Sequence, residues 1–110
     1  MPLPLTVKTL TLTVAAGGTG EDSWTTEKDI TLKKIVIAGR GGADLTNVVL
    51  YIEIAGEVLT KPIANAALFA YDSRENPELN LALKSGSKIY VKAENKGSSD
   101  VTIDIMFIYS

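Results

Sequence analysis

The chain contains no cysteine and no histidine. Without thiols there is no disulfide scaffold, no Cys/His zinc site and no thiol nucleophile. Without imidazole, every histidine-based acid–base scheme is excluded, and the redox compartment goes unread. Basic charge is not in excess either: 11 Lys and Arg stand against 13 Asp and Glu, for a net charge of −2. Lys33-Lys34 is the one adjacent basic pair, so the sequence offers no electrostatic footprint for nucleic acid or for an anionic membrane. Long apolar runs are missing. Val48-Val49-Leu50-Tyr51-Ile52 falls far short of the ~18 residues a spanning helix needs. Met1-Pro2-Leu3-Pro4-Leu5 lacks the basic region of a signal peptide. There is also no internal repeat and no low-complexity segment. What is present is ordinary globular composition, 45% hydrophobic and 22% charged over 110 residues. That predicts one folded domain over 1–110, with residues 1–5 as an extended N-terminal arm, and excludes a disordered linker.

Alternation with period two dominates the chain. Leu10, Leu12 and Val14 share one strand face, with Thr9, Thr11 and Thr13 on the other. Leu3, Leu5 and Val7 have the opposite parity, which predicts a bulge near Lys8-Thr9 or a strand that changes sheet. Ala15 to Gly20 reads as a flexible loop that leaves Trp24 in a loop-like region. Ile30 and Leu32 change parity with Ile35 and Ile37 across Lys33-Lys34. The stretch from Asn47 to Ile54 is apolar on both faces and reads as a central strand, with a tight turn at Ala55-Gly56-Glu57 after it. Residues 64–71 suit a short helix or a strand, and the β context favours strand. Leu79, Leu81 and Leu83 alternate; then Ile89, Val91 and Ala93 match Val101, Ile103, Ile105, Phe107 and Tyr109 across the turn-rich Asn95 to Asp100, the pattern of a hairpin. About eight short strands with no long amphipathic helix predict an all-β antiparallel β-sandwich. Parity changes and long connections favour an eight-stranded jelly roll, with an immunoglobulin-like sandwich as the alternative.

The chemistry-bearing patterns are sparse. Thirteen carboxylates are spread over loops and outer faces, and nothing in their spacing selects the facing pair that a glycosidase requires. Gly39-Arg40-Gly41-Gly42-Ala43-Asp44 lacks the following helix that would make it a phosphate loop. Without His or Cys, a metal would need oxygen ligands; neither the 72–76 loop nor Asp44 with Asn47 has the alternating acidic pattern of a calcium loop. The sequence therefore predicts no enzyme, no metal and no cofactor. Sugar binding needs exposed aromatic platforms. Trp24, Phe69 and Tyr71 form the loop-proximal group that could supply one, while Tyr51 and Tyr90 have the parity of outward-facing residues.

Two features point to assembly. The prolines of Met1-Pro2-Leu3-Pro4-Leu5 hold that stretch extended and suit it to a sheet edge or a neighbour. Ile105-Met106-Phe107-Ile108-Tyr109 is apolar on both sides, and a free monomer would expose one of them. Leu3, Leu5, Met106 and Ile108 are the candidate assembly contacts. The Leu81 to Val91 segment, the Asn95 to Ser99 turn and the closing strand Val101 to Tyr109 together resemble the final part of small single-jelly-roll structural proteins of viruses and phages, of the capsid or decoration type. They also look like the closing strands of trimeric tumour-necrosis-factor-like and C1q-like domains. The resemblance implies a non-enzymatic particle subunit in the virion, partnered by copies of itself, as a trimer, and by other shell proteins. The basic genome-binding arm that many capsid proteins carry is absent, which implies a place outside the genome layer. The alternative from another class is a carbohydrate-binding or adhesion module, extracellular or at the cell surface, built on the Trp24 group; a small carboxylate-pair enzyme is a third, weaker reading.

Overall fold

Period-two alternation becomes, in the computed structural model, two antiparallel sheets packed face to face; the structure describes residues 4–61 and 63–110. Nine strands occur among the described residues: β1 (Thr6–Val14), β2 (Thr19–Thr25), β3 (Ile30–Gly39), β4 (Val48–Ile54), β5 (Glu57–Val58), β6 (Ala64–Asn65), β7 (Leu81–Leu83), β8 (Lys88–Asn95) and β9 (Val101–Tyr109). The first sheet has the order β1-β9-β3-β7; the second runs β2-β8-β4-β5, with β6 also paired to β4. The pairing is nested. β1 pairs with β9, β2 with β8, β3 with β7 and β4 with β5, so the first half of the chain meets the second half in reverse order. Lateral β3–β9 and β4–β8 ladders join these pairs into sheets.

The inner faces of the two sheets form one core. Leu10, Leu12, Val14, Leu32, Ile35, Ile37, Ile103, Ile105 and Phe107 from the first sheet face Val48, Leu50, Ile52, Ile54, Ile89, Val91 and Ala93 from the second. Each fully buried aliphatic side chain contributes about 1.5–3 kcal/mol. Stretches of β-branched residues on both inner faces explain why strands rather than helices form. Trp24 closes one end, its ring centroid 5.6 Å from that of Phe107 and 5.1 Å from that of Tyr109.

The parity change across Lys33-Lys34 is a bulge. Leu32 pairs with Tyr109 and Lys34 with Ile108, so one extra residue lets both Leu32 and Ile35 point inward. The displaced Lys33 carbonyl accepts from the Leu79 amide at 2.8 Å. The expected bulge at Lys8-Thr9 is absent. β1 keeps an unbroken register against β9 from Thr6 to Val14, so Val7 shares the outer face with Thr9, Thr11 and Thr13.

Three further expectations are corrected. Trp24 lies within β2 rather than a loop, because β8 offers a full ladder partner to a segment that carries little apolar alternation of its own. Residues 64–71 form only the two-residue β6 before a 3₁₀ turn, Ala66–Phe69; the Asn65 side chain accepts from the Ala67 amide and starts that turn. The last two long strands are not a hairpin. β8 is central in the second sheet and β9 is central in the first, so residues 96–100 arch from one sheet to the other. Asn95 anchors that arch: it is 1% exposed, and its side-chain amide donates to the Val14 and Ser99 carbonyls while its oxygen accepts from the Gly97 amide.

Candidate functional site

The outer faces of the two sheets differ in chemistry, and each is set by strand parity. On the first sheet, Val7 stands opposite Ile108, which stands opposite Lys34; in the next row Thr9, Met106 and Val36 lie side by side. Met106 and Ile108 are half-buried because flanking strands crowd them, whereas Val7 is 54% exposed and Leu5, just before β1, is 49% exposed. The two-sided apolar strand expected at the C-terminal end is a sheet centre, and the apolar surface it adds lies on the sheet's face. Of the assembly candidates, Leu5, Met106 and Ile108 are described; Leu3 lies outside the described residues.

A polar lock adjoins this strip. Asp104 accepts from Arg40 Nε at 2.9 Å and from Nη2 at 3.0 Å, and from the Thr11 hydroxyl at 2.7 Å. Hydrogen bonds from Arg40 and Thr11 hold the Asp104 carboxyl below the usual carboxylate range, and the same contact raises the Arg40 guanidinium. Arg40 reaches Asp104 from the turn that ends β3, so the lock joins that turn to β1 and β9.

The aromatic group expected around Trp24 is not arranged for a ligand. Phe69 is turned into the core at 3% exposure, and Trp24 packs on Phe107 and Tyr109. Tyr71, 71% exposed, stands out into solvent. A ring in the core cannot offer a face to a sugar, so Phe69 has no part in such a platform.

The outer face of the second sheet carries a different aromatic group. Tyr51 on β4 and Tyr90 on β8 meet edge to face, with centroids 6.1 Å apart and planes at 67°. The Tyr51 hydroxyl donates to Glu53 at 3.1 Å, and the Tyr90 hydroxyl donates to Glu21 on β2. That bond to Glu21, together with burial and nearby negative charge, pushes the Tyr90 hydroxyl up to about 12; the Glu53 bond and burial raise Tyr51 as well. Both hydroxyls therefore keep their protons throughout the physiological range. Val49, Tyr51, Ile63, Tyr90, Lys92 and Glu94 line a shallow cavity of about 300 Å³. A second one, of about 450 Å³, lies against Tyr90 from the other side, with Glu53, Gly56 and Lys88. Sequence parity placed both tyrosines outward. Their contact across strands, and the part Ile63 plays, depend on the β4–β8 register and on the path taken beyond β5, which no local pattern specifies.

Among the described residues, no three acidic side chains gather as a metal-binding group. Asp44 serves its own turn, accepting from the Thr46 amide at 3.0 Å and the Thr46 hydroxyl at 2.6 Å, which lowers its carboxyl. Comparison with protein-family models finds no family that matches the chain, and comparison with curated proteins finds no relative.

Proposed function

We propose that this chain is a non-enzymatic structural protein, a jelly-roll subunit of a viral or phage-like particle, of capsid or decoration type, that assembles through contacts between copies of itself. The nested pairing supports the jelly-roll reading: a long antiparallel hairpin rolled up so that alternate pairs fall in opposite sheets has this strand order. In that reading β5 and β6 together serve as the one short strand that pairs β4, which reduces nine strands to eight.

The observation that carries assembly is the apolar strip on the outer face of the first sheet, where exposed Leu5 and Val7 adjoin Ile108, Met106 and Val36. The threonines beside the strip are neutral and compact, and Lys34, opposite Ile108, is the one charge in these two rows that an identical surface must accommodate. A closed ring buries the same patch in every copy, and we read the ring as a trimer. Repeated modest contacts then give a durable lattice without a deep pocket. Other shell proteins of the particle are the further partners.

Native mass spectrometry of the purified chain tests the reading, with Val7→Lys and Ile108→Lys as paired variants. A trimer in the parent chain that dissociates in the variants supports it. A monomer at every concentration, or a trimer indifferent to both lysines, contradicts it.

A further inference from the structure

We propose that the outer face of the second sheet binds a neutral oligosaccharide in the groove over Tyr51 and Tyr90. The face is unusual for the solvent side of a sandwich, where alternation normally leaves polar side chains. Here Tyr51, Tyr90, Val49 and the 53% exposed Ile63 stand among the charged outward residues of β4 and β8. Polar groups alternate with them across the ladder: Glu53 stands opposite Tyr90, Lys92 opposite Tyr51 and Glu94 opposite Val49. Glu21 and Glu53 accept from the tyrosine hydroxyls, which fixes both rings without either ring moving to meet a ligand. Each carboxylate keeps acceptor capacity beyond its tyrosine bond, and Lys92, exposed between Glu21 and Tyr51, supplies donors.

Charge selects among ligand classes. Glu21, Glu53 and Glu94 are matched by Lys88, Lys92 and Lys96, and Glu94 already pairs with Lys96 at 3.0 Å. A balanced field neither attracts an anion nor favours a cation over the tyrosine rings. A ligand with an apolar C–H face and a rim of hydroxyls fits both parts of the surface: its face against the rings, its hydroxyls to carboxylates and ammonium groups. That is the chemistry of a pyranose. The two cavities meet at Tyr90, and the outward residues of β8 from Lys88 to Glu94 span about 20 Å at ~3.3 Å per residue. The ligand class is therefore a chain of several sugar units rather than a single ring. The inference is independent of assembly, which uses the opposite face.

The test is an amide-resolved NMR titration of the full chain with cellohexaose, maltohexaose and mannohexaose, with oligogalacturonate and choline as charged controls. Saturable shifts at Val49, Tyr51, Ile63, Tyr90 and Lys92 with at least one neutral hexasaccharide are expected. Tyr90→Ala should weaken that binding at least tenfold, and Tyr90→Phe, which keeps the ring, by only a few-fold. Lys92→Ala, a substitution at an exposed position that leaves the fold intact, should weaken it several-fold. No saturable shift with any neutral hexasaccharide overturns the proposal. So does binding indifferent to both Tyr90→Ala and Lys92→Ala, or a preference for oligogalacturonate or choline.

Discussion

Asn95 shows how one side chain can hold two sheets in register. It sits at the end of β8, nearly without solvent, and satisfies the last carbonyl of β1 as well as the arch that leads into β9. Removing it leaves buried backbone groups without partners, each worth about 1–3 kcal/mol. Asn95→Ala should therefore lower stability by about 2–4 kcal/mol, read by urea denaturation, whereas Ser98→Ala in the same arch, at an exposed position, should cost little. Asp104 gives a pH-dependent counterpart. Its folded-state carboxyl is held below the usual range, so its contribution is full above the ordinary carboxylate value and is lost as pH falls through the lower folded value. Melting temperature followed from pH 7 into strong acid should fall less steeply in Asp104→Asn than in the parent chain. Arg40 is largely exposed, so the difference should also shrink in high salt. By parity Asp104 is an outward residue of β9, between the buried Ile103 and Ile105. Its partner comes from a turn 64 positions away, and pairing at that distance has no local signature.

At the scale of elements, strands with their own alternation were legible and strands made by a neighbour were not. β1, β3, β4, β8 and β9 announce themselves because each buries one face of regularly spaced aliphatic residues. β2 is mostly polar and exposed, and it exists because β8 offers it a ladder. The Asn95 to Asp100 stretch has turn composition, but composition does not distinguish a hairpin from an arch between sheets; the difference lies in which long-range partners β8 and β9 take. The Lys33 bulge was readable because a parity change within one strand requires an extra residue. Deleting Lys33 should then leave a regular strand in which Leu32 and Ile35 keep their inward places, at the loss of the bond from the Leu79 amide to the Lys33 carbonyl. That deletion should keep a cooperative thermal transition, as should Lys33→Ala, whereas deleting Lys33 and Lys34 together should turn Leu32 outward, bury Thr31 and abolish it. The β4–β5 turn gives a milder case. Ala55 and Gly56 both have positive φ, at 51° and 87°, the backbone of a tight two-residue hairpin. Ala55→Gly should stabilise by about 0.5–1 kcal/mol and Gly56→Ala should destabilise by at least as much, measured by chemical denaturation.

For the whole molecule, one core fills the space between the sheets, and the two outer faces are left to deal with the surroundings. The inner faces account for the stability of the fold. The outer faces carry what a free sandwich does not need: an aliphatic strip on one side and a locked tyrosine pair on the other. The sequence shows Met106 and Ile108 as apolar residues where a polar face is expected, covered either by the domain or by a neighbour. Their place at the sheet centre puts that apolar surface on a face, where Leu5 and Val7 enlarge it. Because Val7 makes no contribution to the inner core, Val7→Lys should change monomer stability by no more than about 0.5 kcal/mol while altering association. The most direct test of the assembly account is sedimentation velocity of the parent chain and Val7→Lys over a wide concentration range. The account predicts a trimer for the parent chain and a folded monomer for the variant; a parent chain that sediments as a monomer up to the highest concentration would contradict it.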